Sequence, residues 1–594
     1  MHRLFFTLLF YFSVYTSTEA QSITEKELFT LAYEGDIDLY SFNYDEASGS
    51  FVYMYFIDEE KKYFLIYRDG VSEKYDYISV TDTKYDSKGN VYTVAGNYTS
   101  DYGIDNNFLI LNGKTVLNYN YIESYSAFIN RNGEYVFVFK EGEDYKIGKY
   151  SPESGLKQSG SYQFLRTVYS DSINYFKEGD EGSYKKDNYY RDGNGERCFI
   201  GIKNGKASII SESGEINTEY SDINDASLTV NKNNELSFIA KKGGRFYEKS
   251  GNEFVVSGKQ TYRMFPTVYP PLKFTGSNEP VYYCSDSLAE NKYRYYVVKG
   301  NDVQTLKKSS SKKKINFGNG ISDLKISNEG IISYIAYDEL IIPKKPSDSL
   351  GYDEYFSKAY YVVNGDPYEL GYNLGNIKSG KNGEMLFTAI ADIRKKEYLL
   401  IESNGVTSII QNRTKFDQIN EYGYSPSGLI YYTGFNNLSD TDYTKIETSV
   451  YIANELKGKF GNLAYQYSGN SSYILKFSQD NNYAFVTEEN PGMPDKSEYV
   501  YVNSRKLPFP GTTEISNGRF YKISGLYYSP EGRLFYTGEY SGKDEKYYCE
   551  IYIDNVSAGK VYNSTGFPSY DTEGSQMIFF AVRDKTLYSV KVKF

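Results

Sequence analysis

The sequence predicts an all-β protein in which one four-stranded sheet is repeated along the chain. Three observations carry that prediction. A polar turn ending in Gly or Asn, followed by an alternating aromatic strand, recurs at near-regular spacing. Tyr and Phe number 68 and 36 among 594 residues, with no Trp, and aromatic side chains favour pleated, half-buried surfaces. No helical periodicity of useful length exists, the nearest candidate being the short stretch from Thr24 to Leu31.

The turn is plainest in YYSPEGRLFYTGEY (Tyr527 to Tyr540) and YGYSPSGLIYYTGF (Tyr422 to Phe435). Its anchoring Gly or Asn also falls at Gly49, Gly89, Gly133, Gly195, Asn234, Asn278, Gly330, Gly383, Asn481 and Gly574. With Gly428 and Gly532 that makes twelve copies. Intervals run from 39 residues (Gly195 to Asn234) to 62 (Gly133 to Gly195), a period of the propeller type.

A second signature follows each copy after a variable loop: an aromatic-aliphatic strand entering a tight turn. Examples are Asn112-Gly113, Asn204-Gly205, Asn364-Gly365 and Asn404-Gly405, with YIANELKG and IYIDNVSAG as degenerate versions. Asn-Gly accepts the positive φ that both central positions of a two-residue hairpin demand. Three strands and two turns per period, plus a fourth strand in the variable connection, make one four-stranded blade. Such a sheet cannot bury both faces alone, so blades must stack on one another.

A closed propeller takes about four to eight blades. Twelve copies therefore predict two tandem β-propellers of about six or seven four-stranded blades each, residues 21–305 and 306–594. The boundary is placed near the Lys/Ser-rich stretch DVQTLKKSSSKKKINFGNG (Asp302 to Gly320), read as an exposed linker. An uninterrupted or open stack of blades is the alternative.

YSPEGRLFYTGE and YSPSGLIYYTGF resemble the Ser-Pro-(Asp/Glu)-Gly repeat of WD40-like propellers of the TolB type, and the strand with its Asn-Gly turn is similar to the second half of that repeat. The likeness spans most of the chain. Only these two copies keep Ser-Pro in register with Gly, and the His and Trp of true WD40 repeats are absent. The resemblance implies a fold. It also implies either a periplasmic protein-binding role or a gating domain on a serine peptidase, roles that fold alone does not separate.

The chemistry is bounded by what is missing. The only His is His2, inside the expected signal peptide, so Ser-His-Asp and Cys-His catalysis and His-based zinc sites are not expected. The repeats run almost to Phe594 and leave no room for a hydrolase domain. Cys198, Cys284 and Cys549 sit in strand-like runs and read as small buried side chains; pairing through Cys284 stays open. DSKGNVY (Asp86 to Tyr92) looks like the turn of a sialidase Asp-box, but the scarcity of Arg argues against a sialidase site. Acidic turns at Asp192 to Glu196 and Glu178 to Ser183 could hold calcium, yet neither matches a full calcium loop. The 77 acidic residues leave a carboxylate-pair glycosidase open without singling out a pair. No catalytic, cofactor-binding or metal-binding residue is assigned, and no cofactor is expected.

MHRLFFTLLFYFSVYTSTEAQS has a short basic start, an apolar run from Leu4 to Val14, and small residues at Thr18 and Ala20. It reads as a signal peptide, residues 1–20, and no later run approaches a membrane span. The net charge of −11 speaks against nucleic acid. Asn-x-Ser/Thr sites such as Asn97 and Asn412 are read as incidental. The expectation is a secreted or periplasmic, non-catalytic protein that binds another protein or a cell-envelope component through a propeller face, with loops at Ser170 to Asn194, Pro343 to Ser357 and Ser439 to Glu447 as candidates. The alternative is a glycan-acting hydrolase or carbohydrate-binding protein using acidic residues at a channel mouth.

Overall fold

The computed structural model describes most of residues 23–593; the stretches 1–22, 168–196, 305–319, 343–353, 438–445, 490–495 and 510–519 and a number of loop tips lie outside that description. The signal peptide and most of the Lys/Ser-rich stretch therefore fall outside it. Among the described residues there is no α-helix; the one helical element is a single 3-10 turn, Asp225–Ser227.

The chain forms ten sheets of four principal strands and one eight-stranded sheet that counts as two, giving twelve units in sequence order. The second is representative: Tyr77–Tyr85, Val91–Ser100, Gly103–Leu111 and Lys114–Tyr119 lie side by side, each antiparallel to the next. The seventh and eighth units run together where Tyr372 pairs with Ile390. A small hairpin, Gln466–Ser468 with Ser471–Tyr473, interrupts the first strand of the tenth unit. The all-β class and the four-stranded repeat stand.

The turns explain the repeat. Nine of the twelve anchors are described, and all nine have positive φ, from 60° at Asn481 to 87° at Gly428. Glycine visits that region freely and asparagine nearly so, which is why the copies alternate between these two residues. Five positions earlier than the second strand, a short polar side chain caps the turn. Asp86 Oδ1 accepts the N–H groups of Lys88 and Asn90, both at 2.9 Å; Asn130 and Asn231 repeat the arrangement. Ser529 Oγ accepts Arg533 N–H at 3.2 Å. The serine of the Ser-Pro motif is thus a turn cap, and DSKGN is a structural turn. Both central residues have positive φ in Asn112-Gly113, Asn204-Gly205 and Asn364-Gly365, and equally in Ala453-Asn454 and Asp554-Asn555 of the degenerate copies. Asn204-Gly205 joins the second and third strands of its sheet, whereas the other four join the third and fourth.

Packing follows the order of the chain. Every successive pair of sheets shares an apolar cluster. The last sheet shares one with the first, through Leu31, Tyr53, Val582 and Leu587. The sixth and seventh sheets meet across Val281, Val297, Leu324 and Tyr334, so the packing carries no break at the expected 305/306 boundary. Among the described residues no such cluster joins the first sheet to the sixth, or the seventh to the twelfth.

First and fourth strands are both sheet edges, yet they differ. Fourth strands carry exposed apolar side chains, namely Val71, Ile216, Tyr368, Leu456 and Val556. First strands are half-buried, and neighbours such as Thr267–Phe274 and Gly320–Ile326 approach one another directly. First strands therefore lie towards a common axis and fourth strands at the rim.

The twelfth sheet takes its fourth strand from the other end of the chain. Ile23–Thr30 pairs with Thr586–Lys593. Glu25 fixes this closure: it accepts Tyr562 Oη at 2.6 Å and Arg583 at 2.9 Å, with Lys560 at 3.3 Å. Burial pushes its carboxyl pKa up, but those three hydrogen bonds outweigh burial and hold it below the ordinary value. A lowered carboxyl pKa contributes stability above the unfolded value that is lost as pH falls through the folded one. Glu25→Gln should lower stability by about 1–3 kcal/mol at pH 7, read by urea unfolding, with the difference from wild type vanishing in acid below the ordinary glutamate range.

Candidate functional site

The two ends of the sheets differ in chemistry. At one end lie the anchored turns and the third-to-fourth strand turns. These two sets are tied together: Asn112 Oδ1 accepts Val91 N–H at 2.8 Å, and Asp554 Oδ1 accepts Leu534 N–H at 2.8 Å. Turns of neighbouring sheets also bond to each other. Ser425 and Ser427 both donate to Asn481 Oδ1, at 2.9 and 2.8 Å, and Lys232 N–H donates to Asn278 Oδ1 at 2.9 Å. Polar groups here are largely consumed by architecture.

The opposite end carries the second-to-third strand hairpins and the connections between sheets. Large apolar side chains are exposed there on several sheets. Phe56, Tyr98, Tyr293 and Tyr547 stand beside the hairpins, and Tyr121, Met264 and Tyr521 on the connections. Tyr521 and Tyr547 face each other with ring centroids 5.9 Å apart, and Lys496 Nζ lies 5.6 Å from the Tyr521 ring. Sequence reasoning passed over these rings because a strand tyrosine is ordinarily a packing residue. Their position next to a hairpin was the available signal.

Of the three candidate loops, Pro343 to Ser357 and Ser439 to Glu447 leave from this hairpin end, and their longest parts lie outside the described residues. Ser170 to Asn194 lies outside them too, and it joins first and second strands, so it belongs to the turn end. The acidic turns Asp192 to Glu196 and Glu178 to Ser183 also fall outside. Among the described residues no group of His, Cys, Asp and Glu is arranged to hold a metal. Cys198, Cys284 and Cys549 are buried free thiols; burial pushes the Cys549 thiol up to about 12.

Carboxylates along the axis are mostly committed to structure. Glu421 accepts the N–H groups of Ile474 and Leu475 in the next sheet, at 2.7 and 3.0 Å. Glu498 and Glu253 do the same for Ile523 and Val268, at 2.6 and 2.8 Å. Buried donors at the entry of each strand require partners, and these acids supply them. Glu123 differs. Its Oε2 is buried and has no hydrogen-bond partner among the described residues, and burial pushes its pKa up to about 7.

No family model matches the chain, and no curated protein matches it. Among solved structures, it is similar to the β-propeller domain of the Trilobed protease from Pyrococcus furiosus, at 12% identity over 44% of this chain and 79% of that one, with a TM-score of 0.23. It is similar to the Dos1 propeller at 10% identity over 61% and 91%, with a TM-score of 0.22. It is also similar to virginiamycin B lyase from Staphylococcus aureus at 11% identity over 69% and 95%, with a TM-score of 0.16. The fold assignment rests on the sheets and their packing.

A carboxyl whose folded pKa is raised contributes stability that is complete below the unfolded value and lost as pH rises through the folded one. Stability should therefore fall between about pH 4.5 and pH 7 on account of Glu123. Glu123→Gln should flatten that slope and leave the protein about 2 kcal/mol more stable than wild type at pH 8. Chemical unfolding across the pH range checks this.

Proposed function

We propose that this is an exported β-propeller protein, without catalysis of its own, that binds another protein or a cell-envelope component through the hairpin end of its sheets. The observation that supports this reading is the set of exposed rings at that end, with Tyr98, Tyr293 and Tyr547 on three different sheets. Aromatic side chains supply large contact area at low conformational cost and are enriched where proteins bind. The turn end, by contrast, spends its polar groups on its own closure. Export is supported by the pattern of residues 1–20.

A second reading, a hydrolase acting on glycans, is favoured by one observation. Glu123 holds its proton near neutral pH, as the acid of a carboxylate pair must.

A pull-down from envelope extract with the mature chain separates the two. Wild type and a rim variant, Ile216→Ser with Leu456→Ser, should recover one stoichiometric partner. The variant Tyr98→Ser, Tyr293→Ser, Tyr547→Ser should lose it by about tenfold or more, as truncated aromatic anchors do. Equal recovery by that variant overturns the proposed face. Glycan turnover by wild type that Glu123→Gln abolishes overturns the non-catalytic reading.

A further inference from the structure

The first strands carry a recurrent lysine. It lies opposite the second residue of the second strand, just before the anchored turn. Lys84 faces Tyr92, Lys273 faces Val281, Lys325 faces Ser333, Lys378 faces Leu386, and Lys476 faces Ala484. Elsewhere this position holds Tyr44, Phe128, Thr229, Gly423, Tyr527 and Tyr570. No acid occupies it in any described sheet, although the whole chain carries a net charge of −11.

The lysines share one orientation. Leu324 and Ile326, on either side of Lys325, pack into the cluster with the sixth sheet. Lys325 therefore stands on the face turned to the eighth. Leu272 and Phe274 pack towards the fifth sheet, which turns Lys273 to the seventh. Lys476 follows the same rule, and its Nζ lies 6.0 Å from the Tyr527 ring of the next sheet.

Lys273, Lys325 and Lys378 belong to three consecutive sheets. Burial pushes the Lys325 ammonium pKa down, Asp323 opposes that, and the charge of Lys273 adds to it. Lys273 is likewise lowered by burial. These two lysines face each other across the expected 305/306 boundary, and two separate rings would part them.

We propose that the twelve sheets close as one ring, and that Lys273, Lys325 and Lys378 form a site near its axis for a compact anion of three or more charges, with Lys84 and Lys476 as outlying cations. Neighbouring sheets stack about 10 Å apart, so twelve first strands span a circle of about 120 Å. Lysines on opposite sides of so wide a channel cannot share a small ligand. Three on adjacent strands can. Like charges held close in a partly dehydrated place repel, and a multivalent anion converts that repulsion into charge-assisted hydrogen bonds. The first strands also bulge next to this level, between Ser79 and Lys84, Tyr269 and Lys273, and Ser322 and Lys325. Broken ladders do not template an added strand, so recognition there falls to the ammonium groups and not to backbone edges.

The site lies on the axis near the turn end and is independent of the proposed partner face. Titration calorimetry on the mature chain at low salt, with tripolyphosphate and with citrate, tests it. Wild type should bind at least one probe with a salt-dependent Kd; which one binds distinguishes a phosphate from a carboxylate ligand. Lys325→Gln should weaken binding about tenfold, and Lys273→Gln with Lys325→Gln and Lys378→Gln about a hundredfold or more. The rim control Lys146→Gln with Lys457→Gln should bind as wild type does. Without ligand, the triple variant should melt at or above the wild-type temperature, which separates lost binding from lost folding. Failure of wild type to bind either probe, or undiminished binding by the folded triple variant, overturns the proposal.

Discussion

A twisted four-stranded sheet with apolar residues on both faces must have a neighbour on each side, and the rest of this structure depends on that requirement. One neighbour leaves a face in water; two bury both. Each sheet here meets the one before it and the one after it through an apolar cluster, and the first and last sheets supply each other's missing neighbour. Phe29, Phe42, Phe51 and Phe580 crowd that closing contact, with Phe42 and Phe580 edge-to-face at 4.8 Å. Aromatic payload makes the arrangement possible in sheets this small: a ring buries far more area per residue than an aliphatic side chain. Tyr serves where a hydroxyl at the margin can be satisfied, as Tyr135 does by donating to the Asp82 carbonyl at 3.1 Å.

Local chemistry made the repeat readable. Positive φ at the anchors requires Gly or Asn, and a capping Asp, Asn, Thr or Ser must precede them. Both constraints act within five residues, so they survive as a pattern in the chain. Hairpin turns that had lost their glycine, such as Asp554-Asn555, stayed legible for the same reason: Asp and Asn tolerate the left-handed region. The division of the chain into rings was not legible in that way. It depends on which sheet meets which, a matter of contacts hundreds of residues apart, and a Lys/Ser-rich stretch in mid-chain says nothing about it.

Sites fared similarly. Glu421 and Glu498 serve the backbone of the following sheet, and no spacing within one repeat foretells a partner in the next. Glu123 acquires its proton affinity only from burial. The lysine level, by contrast, was present in the sequence. KYDSKGN, KFTGSNE, KISNEG, KSGKNG and KFSQDNN all place Lys two residues before the turn begins. Its meaning needed the register, because only pairing shows that these five residues occupy one level of adjacent or near-adjacent strands. The exposed rings at the hairpin end needed the same knowledge of which connections share an end.

Packing of the sheets in one unbroken circuit is the central claim, and end-on projections of the mature protein by electron microscopy test it most directly. The account predicts a single ring of twelve spokes around a wide, open axis. Two smaller rings of six or seven spokes side by side would contradict it.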